Sequence, residues 1–263
     1  MSHSAPKSIS QSAKAPAVIF FDSTVTFPDR RARISYECDS GSTILWSERS
    51  LDLSPLVHLT TLEVASGGGK TTLMNLIYGF LQGAPSGPGV QFLPKSNIRQ
   101  NVAHIPQRPN TVRHWKVRNL LPADSPFVAC MFEEKIEDFY GKTLSAFSGG
   151  QVARIFVASA LHRLERGGSR INYLLLDEAF EGIDAHLLFK SLNGIASVWS
   201  HRNPSKHLFI LLVTHLEMTS IMKEFDASYI DIDRIILTKH ASDFADQLET
   251  IRISLKKLPR GVL

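Results

Sequence analysis

The sequence predicts an α/β fold, with a mixed central sheet, an antiparallel β region on its N-terminal side and an inserted helical lobe. Three observations predict this arrangement. Near residue 65, an alternating strand pattern, a glycine-rich turn and a helical stripe follow one another directly. Two apolar runs, at residues 171–176 and 208–213, have the composition of parallel strands buried on both faces. Short segments rich in β-branched and aromatic residues occupy residues 18–53.

The glycine-rich turn, ASGGGKTT at residues 65–72, lies between a predicted strand and a predicted helix. Before it, apolar and polar residues alternate from residue 59 to residue 64. After it, apolar side chains recur at the i, i+3, i+4, i+7 spacing of a helix, namely Leu73, Leu76, Ile77 and Phe80. Glycines let backbone N–H groups close around phosphate oxygens, and the helix N-terminus adds the positive end of its dipole. This context predicts a phosphate-binding loop.

The loop carries the residue types that bind a nucleoside triphosphate. Lys70 would reach the β- and γ-phosphates, and the Thr71 hydroxyl would ligate Mg²⁺. The predicted binding residues of the loop are Ser66, Gly67, Gly68, Gly69, Lys70, Thr71 and Thr72. Val64 stands where the pattern G-x-x-x-x-G-K-[ST] has glycine, and a β-branched residue does not readily take a positive φ, so the entry to the loop must turn differently. A glycine turn with a solvated lysine is the alternative.

Composition favours one large α/β domain without a membrane-spanning helix. The 263 residues are enough for a buried core, and no apolar run approaches the roughly 18 residues of a membrane helix. The formal net charge of +4 fits a nucleotide, an acidic membrane face or nucleic acid, and selects none of them. Cys38 and Cys130 are far apart, which indicates a reducing compartment. Residues 1–16 are expected to form a disordered tail, residues 17–263 the domain, and residues from about 108 to 165 its helical lobe.

Further polar features follow the glycine loop in a distinctive order. Gln107 ends a predicted strand, Asp177 and Glu178 follow three leucines at the end of an apolar strand, and His215 ends another strand. Between them, a predicted helix opens on Ser148, Gly149, Gly150 and Gln151. A glycine loop, S-G-G-Q and L-L-L-D-E in this order resemble the ATP-binding cassette (ABC) ATPase family, over residues from about 18 to 240. The resemblance implies a P-loop NTPase core that binds and hydrolyses ATP with Mg²⁺.

The two consecutive carboxylates have different expected roles. Asp177 emerges at the end of a buried strand, where it can hold Mg²⁺ beside Thr71. Glu178 would polarise the attacking water as general base. A helix cap is the alternative for such an Asp-Glu pair. By resemblance, His215 contacts the γ-phosphate and the region of the catalytic water, and Gln107 senses Mg²⁺ and the γ-phosphate.

The Ser-Gly-Gly-Gln loop predicts a second anion site, because two glycines and a serine lie at a helix N-terminus. In the family, this loop meets the γ-phosphate bound to the other subunit. The resemblance therefore implies a head-to-tail dimer of two cassettes, identical or different, with two ATPs at the interface. Asp184 matches the aspartate of the loop that crosses this interface, and Phe147 replaces the leucine that usually precedes Ser148.

One aromatic ring is expected to stack on the adenine base. Phe27 lies in a segment that looks like the family's adenine-stacking strand, but it is far upstream of Lys70. Tyr36 lies at a more usual separation and is preferred, with Phe27 as the alternative.

The resemblance implies active ATP hydrolysis, since all the residues that it assigns to the reaction are present, namely Lys70, Gln107, Ser148, Asp177, Glu178 and His215. It also implies a cytoplasmic chain on the inner face of a membrane, which it contacts only through a separate transmembrane subunit. Residues 102–121 are more typical of export than of import. The alternatives are a soluble ABC ATPase acting on nucleic acid or a protein complex, and a regulator without turnover. Nucleic acid is not expected, because the chain has neither the long coiled coil of the chromosome members nor the second cassette of the translation members.

Overall fold

A computed structural model describes the chain at residues 17–21, 23–27, 32–38, 42–46, 55–64, 70–81, 90–93, 101–107, 113–132, 136–215, 230–240, 243–245 and 248–258. These residues form two β-sheets and four α-helices. The predicted α/β class is confirmed. None of the helices within these ranges is long and apolar enough to cross a membrane.

The larger sheet is built around five parallel strands. They are β5 (Val57–Val64), β7 (Val102–Ile105), β8 (Ile171–Asp177), β9 (His207–Thr214) and β10 (Ile230–Lys239). Their spatial order is β7-β8-β9-β5-β10. Every residue of β9 is buried, as is every residue of β8 after the first, because layers of side chains cover both faces. The apolar runs thus form the strands that the sequence predicts.

Helices cover both faces of these strands. They are α1 (Lys70–Leu81), α2 (Val128–Met131), α3 (Gly149–Arg166) and α4 (Ala185–Arg202). Leu175 of β8 belongs to the hydrophobic core on the α1 side, whereas Leu174 and Leu176 belong to the core on the α3 and α4 side. Successive side chains of a strand point to opposite faces, so one apolar run contributes to both cores.

The helix after the glycine loop buries the predicted stripe in part. Leu73 and Ile77 are fully buried, and so is Met74 beside them. Leu76 is half-buried, and the side chain of Phe80 lies outside the described residues. This stripe holds α1, and with it Lys70 at its first position, against the sheet.

The predicted antiparallel region is antiparallel only in part. Its strands are β1 (Ala17–Phe21), β2 (Ser23–Phe27), β3 (Ala32–Cys38) and β4 (Ser42–Trp46). Three strands from later in the chain lie beside them, namely β6 (Val90–Leu93), β11 (Asp243–Ala245) and β12 (Leu248–Leu258). β1 pairs antiparallel with β4 and β6 in the smaller sheet. In the larger sheet, β2 and β3 are antiparallel, but β3 pairs parallel with β12, which is antiparallel to β10.

The region before α3 contains little regular helix. Within residues 113–132 and 136–148, it has the short α2 and three 3₁₀ turns, at Val117–Asn119, Ile136–Asp138 and Leu144–Ala146. Arg154 of α3 ties this region down, since its guanidinium donates to the Met131 carbonyl at 2.8 Å and lies 5.0 Å from the Phe132 ring centre. The boundaries predicted for the lobe stay a prediction, and residues 1–16 lie outside the described part of the chain.

Candidate functional site

The predicted polar residues gather at one edge of the parallel sheet. Lys70 begins the helix that follows β5, Asp177 ends β8, and His215 directly follows β9. Asp177 stands opposite Val213 in the β8–β9 register. Because adjacent parallel strands end at the same edge, residues far apart in sequence converge there, as they do at the binding crevices of open α/β sheets.

Three side chains form the centre of the site. The Lys70 ammonium forms an ion pair with Glu178 Oε1, and His215 Nε2 lies 2.9 Å from the same oxygen. Lys70 Nζ is also 2.6 Å from His215 Nε2. Lys70 and Glu178 are only 6% and 8% exposed, and buried charges of this kind are stable only when paired. The structure thus brings together three of the residues that the sequence predicts for phosphate binding and water activation.

Gln107 joins this cluster from the end of β7. Its side-chain amide donates to Glu178 Oε2 and, at 3.5 Å, to Glu181 Oε2. The contact between Gln107 and Glu178 agrees with a glutamine placed beside the reacting region. Glu181 was not predicted as a site residue. It follows the Asp-Glu pair on a turn whose geometry a sequence pattern does not reveal.

Glu178 has an unusual backbone conformation. Its φ of 54° is the one positive φ among the non-glycine residues that the structure describes. A residue other than glycine enters this region at a cost, and such residues concentrate at functional sites. The turn is held by the Glu178 N–H, which donates to the Val213 carbonyl at 3.2 Å, and by the Glu181 N–H, which donates to the Glu178 carbonyl at 2.9 Å.

Asp177 has the environment of a cation ligand. It is 1% exposed, and no well-formed hydrogen bond from the described residues reaches either carboxylate oxygen. Burial raises the pKa of Asp177, and the Glu178 charge raises it further, whereas the nearby Thr71 hydroxyl and Lys70 ammonium lower it. Thr71 is exposed, so its hydroxyl is accessible. A buried carboxylate beside the Thr71 hydroxyl fits Mg²⁺, which binds proteins through one or two such oxygens and takes phosphate oxygens as further ligands.

A cavity of about 140 Å³ adjoins the cluster. Its walls include Glu178, Glu181 and His215, together with Phe180 and Ile183 from the turn after β8. The cavity can hold a few water molecules next to the proposed base, since a water occupies roughly 30 Å³ of liquid volume.

The Ser-Gly-Gly-Gln loop forms a complete capping box at the start of α3. The Gln151 N–H donates to Ser148 Oγ at 3.3 Å, and the Ser148 N–H donates to Gln151 Oε1 at 3.0 Å. Ser148 and Gly149 are exposed and Gly150 is half-buried, so the N-terminus of the helix is accessible from outside the chain. The contact of this loop with a second ATP stays a prediction.

Asp184 caps α4 with its side chain alone. Its Oδ1 accepts the Leu187 N–H at 2.8 Å, and the residue is exposed. A helix cap is therefore an observed role of Asp184, and the contact across a dimer interface stays a prediction. Ser66, Gly67, Gly68 and Gly69 lie outside the described residues, and so does the side chain of Val64.

The adenine-stacking candidates differ in what the structure describes. Phe27 ends β2, and its side chain lies outside the described residues. Tyr36 of β3 is 1% exposed and packs in the core on the α1 side. Because the surrounding side chains cover its ring, the structure leaves no open face for a base, which counts against the predicted stacking by Tyr36.

Several known proteins are similar to this chain. The family model described as "ABC transporter" matches residues 59–181. The chain is 30% identical over 205 residues to the taurine import ATP-binding protein TauB of Pseudomonas putida KT2440, and the match covers 70% of each chain. It is 26% identical over 225 residues to the zinc transport system ATP-binding protein TroB of Treponema pallidum (strain Nichols), covering 74% of this chain and 78% of that protein.

A solved structure shows the same fold. The complex of archaeal ribosome recycling factor aABCE1 with ribosomal stalk protein aP1 contains a chain that matches with a TM-score of 0.53 at 15% identity. The match covers 98% of this chain and 43% of that chain, so this chain spans less than half of that structure's length. At this identity, the likeness concerns the fold alone.

Proposed function

The chain belongs to the ABC transporter family and is an ATP-hydrolysing cassette, and from this premise we propose that it drives transport through a separate transmembrane subunit. The cluster of Lys70, Glu178 and His215 at the edge of the parallel sheet supports the hydrolysis that would power transport. The match to TauB supports the transport role. A buried lysine can bind the phosphate, and a carboxylate can polarise the attacking water. The histidine contacts both of these side chains and can hold the phosphate beside them.

The geometry suggests how hydrolysis proceeds. When the triphosphate enters, its γ-phosphate takes over the Lys70 ammonium, and Glu178 is released to face the attacking water. As the new O–P bond forms, the water proton passes to Glu178 and the bond between the γ-phosphorus and the ADP oxygen breaks. His215, which contacts both Lys70 and Glu178, also holds the γ-phosphate. Mg²⁺, held by Thr71 and Asp177, would neutralise charge on the phosphate oxygens.

Two copies are required for a complete site under this proposal. Each chain has one glycine loop and one accessible Ser148 loop at the start of α3. A helix N-terminus with free N–H groups favours an anion, so the Ser148 loop of one copy would complete the phosphate site of the other. Asp184 and its neighbours, which lie on the turn beside Glu178, would contact the second copy at this interface.

The direction of transport that we propose is import, in place of the export suggested by residues 102–121. TauB, which matches 70% of the chain, is named for taurine import. In this proposal the chain lies in the cytoplasm, on the inner face of the membrane, and touches the membrane through its partner.

The hydrolysis mechanism can be tested with two matched variants. Wild type and Glu178→Gln are compared for phosphate release and for the fraction of dimer in ATP and Mg²⁺. Glu165→Gln is the control, because Glu165 pairs with Arg202 between α3 and α4 and takes no part in the cluster. We expect turnover in wild type and the control, and an ATP-dependent dimer without turnover in Glu178→Gln. Wild-type turnover in Glu178→Gln would contradict the assignment of the base.

The transport role needs a separate experiment. Purification of the tagged chain from membranes of its own cells should yield an integral membrane protein in fixed ratio. Stimulation of hydrolysis by RNA or DNA, falling steeply between about 50 and 200 mM salt, would favour the soluble alternative.

A further inference from the structure

Tyr36 lies where β3 meets the helix that carries the phosphate-binding lysine. Its ring is packed in the core on the α1 side with Leu62, Leu73 and Met74. Its hydroxyl is hydrogen-bonded to the side chain of Thr72 and to the backbone of Leu73. Burial raises the pKa of Tyr36, and both contacts lower it by a smaller amount. Groups that donate to the phenol oxygen lower the pKa in this way. The Leu73 N–H is therefore one of the donors.

The sheet fixes the position of this tyrosine. β3 is paired on both sides, with Ser23 of β2 and Ile253 of β12 opposite Tyr36 in the two registers. A strand paired on both sides cannot rotate a side chain outward without breaking its ladder. Since the hydroxyl can neither reach solvent nor remain buried without partners at low cost, its hydrogen bonds to α1 are strongly favoured.

Thr72 and Leu73 belong to the first turn of α1, directly after Lys70 and Thr71. The backbone N–H groups of a helix's first turn are those that point toward a bound phosphate. Tyr36 therefore anchors, from a different part of the sheet, the turn on which phosphate binding depends.

We propose that Tyr36 is a positioning residue for the phosphate-binding turn, acting through its hydroxyl on Thr72 and Leu73 and not through its ring face on a base. This inference rests on the proposed ATP site and changes the role that the sequence resemblance gives to Tyr36. It predicts that loss of the hydroxyl weakens the binding of triphosphates whatever base they carry.

The first test is Tyr36→Phe, which keeps the ring and removes only the hydroxyl. One net hydrogen bond corresponds to roughly a fivefold change in affinity, so we expect about fivefold weaker binding of ATP, GTP and inorganic tripolyphosphate alike. The rate at saturating ATP should change less than about twofold, because Tyr36 does not touch the reacting atoms. Tyr173→Phe is the matched control, since Tyr173 is 2% exposed in the same core but lies on β8. The control should bind ATP as wild type does.

The second test asks whether Tyr36 acts through Thr72. Thr72→Val removes the hydroxyl with little change of shape. In a Thr72→Val background, Tyr36→Phe should lower the affinity for ATP less than Tyr36→Phe does in wild type. Thr72→Ser, which keeps the hydroxyl, should restore the effect of Tyr36→Phe. Additive losses in the double variant would contradict action through Thr72.

The outcomes separate this inference from the function on which it rests. If wild type does not bind ATP, both are overturned. If wild type binds ATP and Tyr36→Phe binds it equally well while Tyr36→Leu loses affinity for ATP but not for tripolyphosphate, the ring stacks on the base and only the present inference is wrong.

Discussion

Asp177→Asn is expected to make the protein more stable at neutral pH when Mg²⁺ and nucleotide are left out. Asp177 is 1% exposed, and its two oxygens have no well-formed hydrogen bond within the described residues. A buried charged group in this state opposes folding by at least about 1–3 kcal/mol. The Thr71 hydroxyl and Lys70 ammonium offset part of this, so we expect the neutral amide to raise the free energy of unfolding by about 1–2 kcal/mol.

The pH dependence of this gain has a defined sign. Burial raises the pKa of Asp177 in the folded protein above its ordinary value of 3.8. Below pH 3.8, the carboxyl is protonated in both folded and unfolded chains, and the substitution should have little electrostatic effect. As the pH rises from there through the folded pKa, the unfolded chain loses its proton first, so wild type loses stability relative to the variant. The gain should therefore be small in acid and complete at neutral pH.

Urea unfolding measured by circular dichroism from pH 3.5 to pH 7.5 tests this. Asp184→Asn serves as the control, because Asp184 is exposed and asparagine caps a helix as well as aspartate does. Asp177→Asn should also lose the extra stability that Mg²⁺ and ATP together give to wild type. A loss of stability in Asp177→Asn at neutral pH, or a gain of equal size at every pH, would refute the reasoning.

Three further predictions concern the surroundings of the site. Ser148→Ala should lower the free energy of unfolding by about 1 kcal/mol, since it removes the cap of α3, whereas Ser148→Thr should preserve it in thermal unfolding. In wild type, the Arg234 guanidinium donates to the two Glu63 carboxylate oxygens at 2.7 and 2.6 Å. Arg234→Met should destabilise the protein by about 3 kcal/mol, because it leaves the half-buried Glu63 without this partner. If Arg234→Met with Glu63→Leu is no more stable than Arg234→Met alone, loss of the pair is not the cause. Lys70→Met should abolish the rise in melting temperature that ATP gives to wild type, which is worth about 2.7 kcal/mol at 100 times Kd, and an unchanged rise would remove Lys70 from the phosphate site.

Much of the fold and site could be predicted because the signals are local. The apolar runs that end at Asp177 and before His215 are typical of parallel strands covered on both faces. The order of the motifs then places Lys70, Glu178 and His215 at one sheet edge. The parallel pairing of β3 with β12 could not be predicted, because it joins segments more than 200 residues apart and leaves no periodic mark on either one.

The environment of single side chains was the least predictable part. Its separation from Lys70 suggested that Tyr36 stacks on a base, but its side chain points to the sheet face that α1 covers and is buried in that core. Gln107 was predicted beside the site, yet the carboxylate of Glu181 that also accepts its amide comes from a turn with no sequence pattern. Ser148 and Asp184 were interpreted as interface residues and form helix caps as well, because the same exposed oxygen that could face a partner also satisfies an N–H of its own helix.

The left-handed backbone at Glu178 explains how two consecutive carboxylates can serve one site. Along a regular strand, Asp177 and Glu178 would point to opposite faces of the sheet. A φ of 54° turns the chain at Glu178, so that its carboxylate reaches Lys70 and Gln107 while Asp177 remains at the strand end near Thr71. Asparagine would adopt this conformation at lower cost, but its shorter side chain cannot extend as far toward Lys70. Glutamate at this position carries a backbone penalty of about 1–3 kcal/mol, and the reach of its carboxylate to Lys70 and Gln107 is what offsets that penalty.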